Sequence, residues 1–357
     1  MSDSLTIQSH KGPYEATFDR DGLAKLNADI PKGAHFIIDQ RVAELYGSQM
    51  AAILAHPSVL LIQALETNKS LDKFPAYVAH LVDRQLRRDQ VLIAIGGGII
   101  QDITCFLAAT LLRGVEWRFY PTTLLAQADS CIGSKSSINC GDTKNILGTF
   151  TPPKNVVIDT RFLDTLDTRD IHSGVGEMLK VQVIDGPDSF DAIAADYEAL
   201  FTDPAVMEKY IRRSLRVKQG YIEKDEFDQG PRNIFNYGHS FGHAIEAATE
   251  FGIPHGIAVT IGMDMANWIS AKIDVGTAKN FDRMHPSLAA NFKGYETTPV
   301  PQGSFLDALS KDKKNIGTGS VGLILPDKQG RVFKDNYAAD DNFRGLCAEY
   351  LEKVRTA

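Results

Sequence analysis

The chain has 357 residues, a net charge of −7 and a pI near 5.7, with 43 % hydrophobic and 23 % charged residues. This ordinary globular composition excludes a disordered, collagen-like or coiled-coil chain, and the absence of any Lys/Arg run argues against a nucleic-acid or anionic-membrane partner. The length suggests two domains, with enough chain to bury a core without staples.

In chain order, the start is polar and charged and lacks the basic stretch and apolar block of a secretory signal. Short apolar runs then recur at 36–38, 59–62, 91–95, 118–120 and 156–158, separated by helix-like stretches at 75–88 and 103–113. In the latter Ile103, Phe106, Leu107, Thr110 and Leu111 share one face. Such alternation predicts a mostly parallel sheet covered by helices on both sides. Pro152 and Pro153 break local order, and past Thr165 helical spacing takes over. Met207, Ile211, Leu215 and Ile222 recur at near-helical intervals, and 255–273 is apolar almost all round, which predicts a deeply buried helix. One late strand-like run, 321–325, precedes a charged tail. The expectation is a nucleotide-binding α/β domain over 1–165 and an all-α domain over 166–357. Cys105, Cys131, Cys140 and Cys347 include no CxxC pair and read as reduced thiols of a cytoplasmic protein. No window of ~18 uninterrupted apolar residues suggests a membrane span.

The sharpest signal in the first half is the apolar run 91–95 entering Gly96-Gly97-Gly98 and then an apolar helix carrying Asp102. Bare backbone and a helix N-terminus suit a phosphate, although the run is not GxGxxG and a plain tight turn reads equally well. Asp102 reads as a dipole partner or as a ligand to a cofactor hydroxyl. Upstream, Glu66 and Lys69 sit three apart, either as a solvated loop pair or as a hold on the adenosine end of a dinucleotide.

The second half concentrates histidine. His239 and His243 are four apart on one helical face, and His255 follows beyond Gly252 and Pro254. Three imidazoles within 17 residues suit a divalent metal. A further ligand is offered by Glu177, which lies with Lys180 three residues on in the apolar stretch 173–181. A carboxylate with imidazoles leaves coordination positions open, the catalytic pattern. Arg113, Asp129, Lys135, Lys144, Asn145, Lys218, Arg232 and Asn236 form a polar set that would suit a small, anionic, oxygen-rich substrate.

Together these segments resemble 3-dehydroquinate synthase and the wider sugar phosphate cyclase family, over about 39–314. The motifs are GGGxxxD at 96–102, PTTLLxQxDSxxGxK at 121–135, KN at 144–145 and GxxExxK at 174–180. NxGHxxGHAIE at 236–246, HG at 255–256 and DKK at 312–314 follow in order. The resemblance implies a Rossmann-like N-terminal domain with a helical C-terminal domain, tightly held NAD, one divalent metal (usually zinc, with cobalt possible) and a homodimer. It implies Glu177, His239 and His255 as metal ligands, which leaves His243 to the substrate. NAD would meet Asp39, Glu66, Lys69, Gly97, Gly98, Asp102, Thr122, Thr123, Lys144 and Thr165. The substrate would meet Arg113, Asp129, Lys135, Asn145, Lys180, Lys218, Arg232, Asn236, His243 and Lys313.

The reaction it implies is conversion of 3-deoxy-D-arabino-heptulosonate 7-phosphate to 3-dehydroquinate and phosphate, on the shikimate route to aromatic amino acids. NAD takes hydride from a metal-polarised hydroxyl, phosphate leaves, hydride returns and an aldol closure forms the ring. Arg232 would suit the carboxylate. His243, Asn236, Lys313 and Arg113 would suit the phosphate, and Lys180, Lys218 and Asp129 the hydroxyls. Gln101, Ser134, Thr143 and Ile257 depart from the family pattern, which has glycine at the first three and commonly an acid at the fourth; they touch the cofactor loop and the surroundings of the metal. Alternatives are a cyclase acting on another sugar phosphate, a metal-dependent NAD polyol dehydrogenase, and a non-catalytic protein that retains the fold.

Overall fold

The computed structural model describes residues 4–141, 143–310 and 319–356. The chain separates into two compact units, Met1–Asp167 with Lys218–Asp228, and Thr168–Val217 with Gln229–Ala357.

The first unit holds strands β1 (Ser4–Ile7), β2 (Tyr14–Phe18), β3 (Ala34–Asp39), β4 (Val59–Ile62), β5 (Val91–Gly96), β6 (Glu116–Pro121), β7 (Ile138–Cys140), β8 (Thr143–Leu147) and β9 (Asn155–Ile158). Its helices are α1 (Gly22–Ala28), α2 (Gln40–Tyr46), α3 (Ala51–Leu54), α4 (Phe74–Asp83) and α5 (Gly98–Thr110). Seven strands form one sheet in the order β1-β2-β9-β6-β5-β3-β4, parallel except for β1 on β2. β3 and β5 are buried along their whole length, as strands covered on both faces must be. From β3 the chain steps outward to β4, and from β5 it steps the other way to β6, so the order reverses between β3 and β5. Ile38 pairs with Ile95, and Ile95 with Tyr120. Asp39, the Gly96–Gly98 run and Thr122–Thr123 therefore leave the sheet at one carboxyl edge beside the reversal, where open α/β sheets bind ligands.

Three local expectations change. The polar start contains the pair β1–β2, whose inward side chains Ile7, Tyr14 and Ala16 are buried. The helix expected over 75–88 stops at Asp83, because Gln85 turns left-handed (φ 58°) and Leu86 N–H reaches back to Leu81 O at 3.1 Å. The helix expected over 103–113 begins earlier, inside the glycine run at Gly98, and ends at Thr110, with Leu112 and Arg113 left-handed beyond it.

The second unit is helical: α6 (Thr168–Asp185), α7 (Pro187–Ala195), α8 (Ala199–Thr202), α9 (Pro204–Ile222, assigned to this unit as far as Val217), α10 (His239–Ala248), α11 (His255–Lys272), α12 (Ala278–Asn291), α13 (Gln302–Ser310) and α14 (Asp341–Glu349). One antiparallel hairpin accompanies them, β10 (Ser320–Pro326) on β11 (Val332–Ala338); β10 contains the strand-like run at 321–325, so the unit is not purely α. No described helix is long and apolar enough to cross a membrane.

As its all-round apolar sequence predicts, α11 is buried continuously from Gly256 to Ser270. Its glycines let neighbouring backbones approach. A Cβ on Gly256 would fall 1.8 Å from Ser173 O of α6, one on Gly176 of α6 would fall 2.3 Å from Gly256 O, and one on Gly262 would fall 2.1 Å from Gly238 O. This closeness brings Glu177 of α6 and His239 of α10 alongside His255. Gly256→Ala forces backbone against backbone, with no flexible side chain to yield. We expect it to lower unfolding free energy by about 3 kcal/mol or more. Urea denaturation with an unchanged midpoint would contradict the close packing.

Candidate active site

The second unit assembles the metal candidates. Glu177 projects from α6 and is 2 % exposed. Its Oε1 lies 3.5 Å from His239 Nε2 and 3.4 Å from His255 Nε2, while its Oε2 meets the Lys180 ammonium one helical turn on. One nitrogen from each of His239, His243 and His255 also falls within 4.8 Å of the others. His239 and His255 thus belong both to the histidine cluster and to the pair of imidazoles facing Glu177.

The remaining ring nitrogens explain the orientation. His239 Nδ1 donates to Tyr237 O at 3.2 Å, and His255 Nδ1 donates to Glu246 Oε2 at 3.1 Å. Both Nε2 atoms therefore face Glu177. Burial and the Lys180 charge hold His239 well below its ordinary pKa, so its ring is neutral. Burial opposes ionisation of Glu177, but Lys180 and then the two imidazoles outweigh it and hold the carboxyl well below its usual range. Burial also pulls His255 down, yet hydrogen bonds and charge from Glu177 and Glu246 reverse this and raise it to about 10. The Nε2 proton on His255 is the one a bound cation would replace.

This donor set fits a divalent cation. Bonds of about 2.0–2.1 Å in a tetrahedron place donor atoms roughly 3.3–3.4 Å apart, close to the 3.4 and 3.5 Å separations of Glu177 Oε1 from the two imidazoles. Each imidazole also carries the outer acceptor that metal-binding histidines normally have.

Glu246 escaped the sequence reading, although its signal was present: 239, 243 and 246 share one face of α10. Ile257, where the family pattern commonly has an acid, is buried in the core, and the carboxylate on His255 comes from Glu246. We expect Glu246→Leu to weaken zinc binding by about 10–100-fold, and Glu246→Gln, which still offers Nδ1 an acceptor, to weaken it less. Competition with a chromophoric chelator reads the affinities, and equal affinities in all three proteins would remove the role.

Other residues of the substrate set lie in the same unit. Lys180 is 2 % exposed, with its ammonium 5.7 Å from the centre of the Phe235 ring. Arg232 is buried and Asn236 half-buried, both on the short 3₁₀ helix Pro231–Asn236. The His243 ring is exposed and stacks on His255 at 5.6 Å. Lys313 lies outside the described residues.

The first unit gathers the cofactor candidates along the carboxyl edge of its sheet. Asp39 caps α2 through Arg41 N–H, and burial pushes its carboxyl up. Gly97 packs so closely on the next turn that a Cβ there would fall 2.8 Å from Thr123 Cγ2, and Thr122 N–H donates to Gly96 O. Lys69 joins Asp102 at 3.1 Å, Glu66 at 3.4 Å and the Asn145 side-chain Oδ1 at 3.0 Å. Burial raises Asp102 and exceeds the opposing pull of Lys69. Asn145, assigned above to the substrate, thus shares the network of Lys69 and Asp102. Ser137 and Asn139, not singled out from sequence, complete it by donating to Asp102 and Glu66. Thr165 meets Tyr46 OH at 2.8 Å, and Lys144 is exposed on β8.

Two substrate candidates of this unit pair with carboxylates: Lys218 with Asp129 at 2.6 Å, and Lys135 with Asp228. Arg113 stands apart within the unit. It is exposed beyond the far end of α5, a helix about 20 Å long that starts at the glycine turn. Chain order already sets it at the end of the helix opposite the glycine run.

Residues 59–173 match the family model described as 3-dehydroquinate synthase N-terminal, and 174–315 match 3-dehydroquinate synthase C-terminal. The 3-dehydroquinate synthase of Xylella fastidiosa (strain M12) is 36 % identical over 313 residues, 82 % of this chain and 84 % of its own. That of Paracoccus denitrificans (strain Pd 1222) is 31 % identical over 347 residues, covering 93 % and 94 %. In fold, 2-deoxy-scyllo-inosose synthase, crystallised with carbaglucose-6-phosphate, NAD+ and Co2+, matches with TM-score 0.86 at 23 % identity over 98 % of this chain and 99 % of its own. The 2-epi-5-epi-valiolone synthase of Streptomyces hygroscopicus subsp. jinggangensis 5008, with NAD+ and Zn2+ bound, matches with TM-score 0.83 at 26 % identity over 95 % and 97 %. Two family models spanning 59–315 and relatives above 30 % identity across most of both chains show that this protein belongs to the 3-dehydroquinate synthase family.

Proposed function

We propose that the chain is a 3-dehydroquinate synthase, a phosphate-eliminating cyclase that converts 3-deoxy-D-arabino-heptulosonate 7-phosphate to 3-dehydroquinate and phosphate with NAD and a divalent metal. The observation that carries this reading is the buried Glu177 carboxylate with two oriented imidazoles at 3.4 and 3.5 Å. Glu177, His239 and His255 would hold the metal, zinc or cobalt. His243, whose ring is exposed, is left to the substrate. NAD would lie on the first unit against Asp39, Glu66, Lys69, Gly97, Gly98, Asp102, Thr122, Thr123, Lys144 and Thr165, while the second unit supplies the metal ligands.

When bound, NAD supplies a hydride acceptor that returns the hydride, and the metal supplies a Lewis acid. The chain's own groups do the positioning. The Lys180 ammonium, desolvated beside Glu177, donates to a substrate hydroxyl. Asp129 and Lys218, already paired, offer an acceptor and a donor to another. Arg232 matches a carboxylate with two parallel N–H donors. Asn236, His243, Lys313 and Arg113 are assigned to phosphate oxygens, and Lys135 and Asn145 complete the substrate contacts. The enzyme works in the cytoplasm as a homodimer.

Product identification tests the reading. Incubation with the heptulosonate phosphate, trace NAD and zinc should yield 3-dehydroquinate and one equivalent of phosphate without net NADH. Faster phosphate release from sedoheptulose 7-phosphate or glucose 6-phosphate would replace this substrate. Net NADH production would replace the reaction class.

A further inference from the structure

We propose that Gln101 is a positioning residue that clamps the turn carrying Asp129 onto the cofactor-binding end of α5. The inference rests on the reading of Asp129 and Lys218 as hydroxyl-binding groups. Gln101 stands in the first turn of α5 and is 5 % exposed. Its Nε2 donates to Ser130 O at 2.6 Å, and its Oε1 accepts from the Ser130 hydroxyl, also at 2.6 Å. Ser130 O can only accept, so the amide orientation follows from chemistry. A primary amide presents donor and acceptor side by side and satisfies both; leucine supplies neither, and an ionised glutamate would set its charge against Ser130 O.

The clamped segment is unusual. Ala126–Ser130 is a π-helical turn, closed by Cys131 N–H to Ala126 O at 2.9 Å. Such wide turns are rare and need outside support. Its last carbonyls receive that support from two directions. Lys218 Nζ donates to Asp129 O at 2.6 Å and also meets the Asp129 carboxylate, while Gln101 holds Ser130 O. Two consecutive carbonyls pinned by separate elements fix the direction of the intervening backbone, and with it the Asp129 side chain. The Ser130 hydroxyl is drawn against the start of α5, where a Cβ on Gly98 would stand 4.0 Å from it.

The test uses the full-length enzyme with Gln101→Leu and Gln101→Glu, reading hydrogen exchange of 126–132 and steady-state kinetics. With Gln101→Leu we expect exchange in that segment to rise about tenfold and KM for the heptulosonate phosphate to rise about tenfold, with NAD affinity within about twofold of wild type. Gln101→Glu should behave likewise at pH 8. It should return towards wild type as the pH falls, because a protonated carboxyl again offers O–H and C=O; Gln101→Leu should show no such return. Unchanged exchange in 126–132, a loss of protection spread over the whole first unit, or a parallel loss of NAD affinity would each overturn the inference. The exchange arm needs no turnover. Wild-type inactivity on the heptulosonate phosphate would therefore sink the proposed function while exchange still decides the role of Gln101.

Discussion

If Glu177, His239 and His255 hold the metal as proposed, His239→Ala is expected to give a folded protein that has lost zinc and turnover together. His239 Nε2 is one of two imidazole nitrogens facing Glu177, and its neutral ring is held by Tyr237 O, so alanine removes a preset ligand and leaves nothing of the same reach. Losing one of the three proposed ligands should weaken zinc by roughly 10³-fold or more, enough to empty the site during dialysis. Metal analysis, circular dichroism and phosphate release on one preparation read the three quantities. Retained zinc with near-normal activity would refute the ligand set. His243→Ala is the partner experiment, because His243 lies within the same 4.8 Å cluster. It should keep the metal and lose substrate affinity. Loss of zinc there instead would place all three imidazoles on the cation.

Lys180→Ala should leave zinc and NAD bound yet slow turnover by about 10³-fold, the scale of a missing positioned donor or proton-transfer group in a water-poor site. Its ammonium is 2 % exposed, pressed between Glu177 and the Phe235 ring. Glu177 keeps two imidazoles after the substitution, so its charge retains partners. Zinc content, bound NAD after gel filtration and kcat separate the outcomes. A protein that loses zinc would show that Lys180 serves to keep Glu177 ionised and not to meet the substrate.

Local pattern made much of this molecule legible. Each run from 36–38 to 156–158 became a strand, and the central β3 and β5 read as continuous apolar stretches because they are buried on both faces. The all-round apolar 255–273 became α11, and the i, i+4 spacing of His239 and His243 did place both rings on one face. What failed locally failed for physical reasons. Gln85 and Leu112 adopt left-handed backbone that their residue types do not announce, so two helix ends moved. In β2 the inward Tyr14 and Ala16 alternate with Glu15 and Thr17 over too few residues to stand out.

Local pattern was enough for the strand and helix alternation, the glycine run at the head of a helix, and a carboxylate and a histidine cluster from which a cation's ligands could be drawn. These follow from periodicity and residue chemistry over a few turns of chain. Contacts between distant segments were needed to show that Glu246 takes the far nitrogen of His255, that Lys69 joins Asp102 to Asn145, and that Gln101 closes on Ser130. Those contacts join segments with no common period. In the second unit Gly176 and Gly256 let the backbones of α6 and α11 approach, which brings Glu177 beside His255.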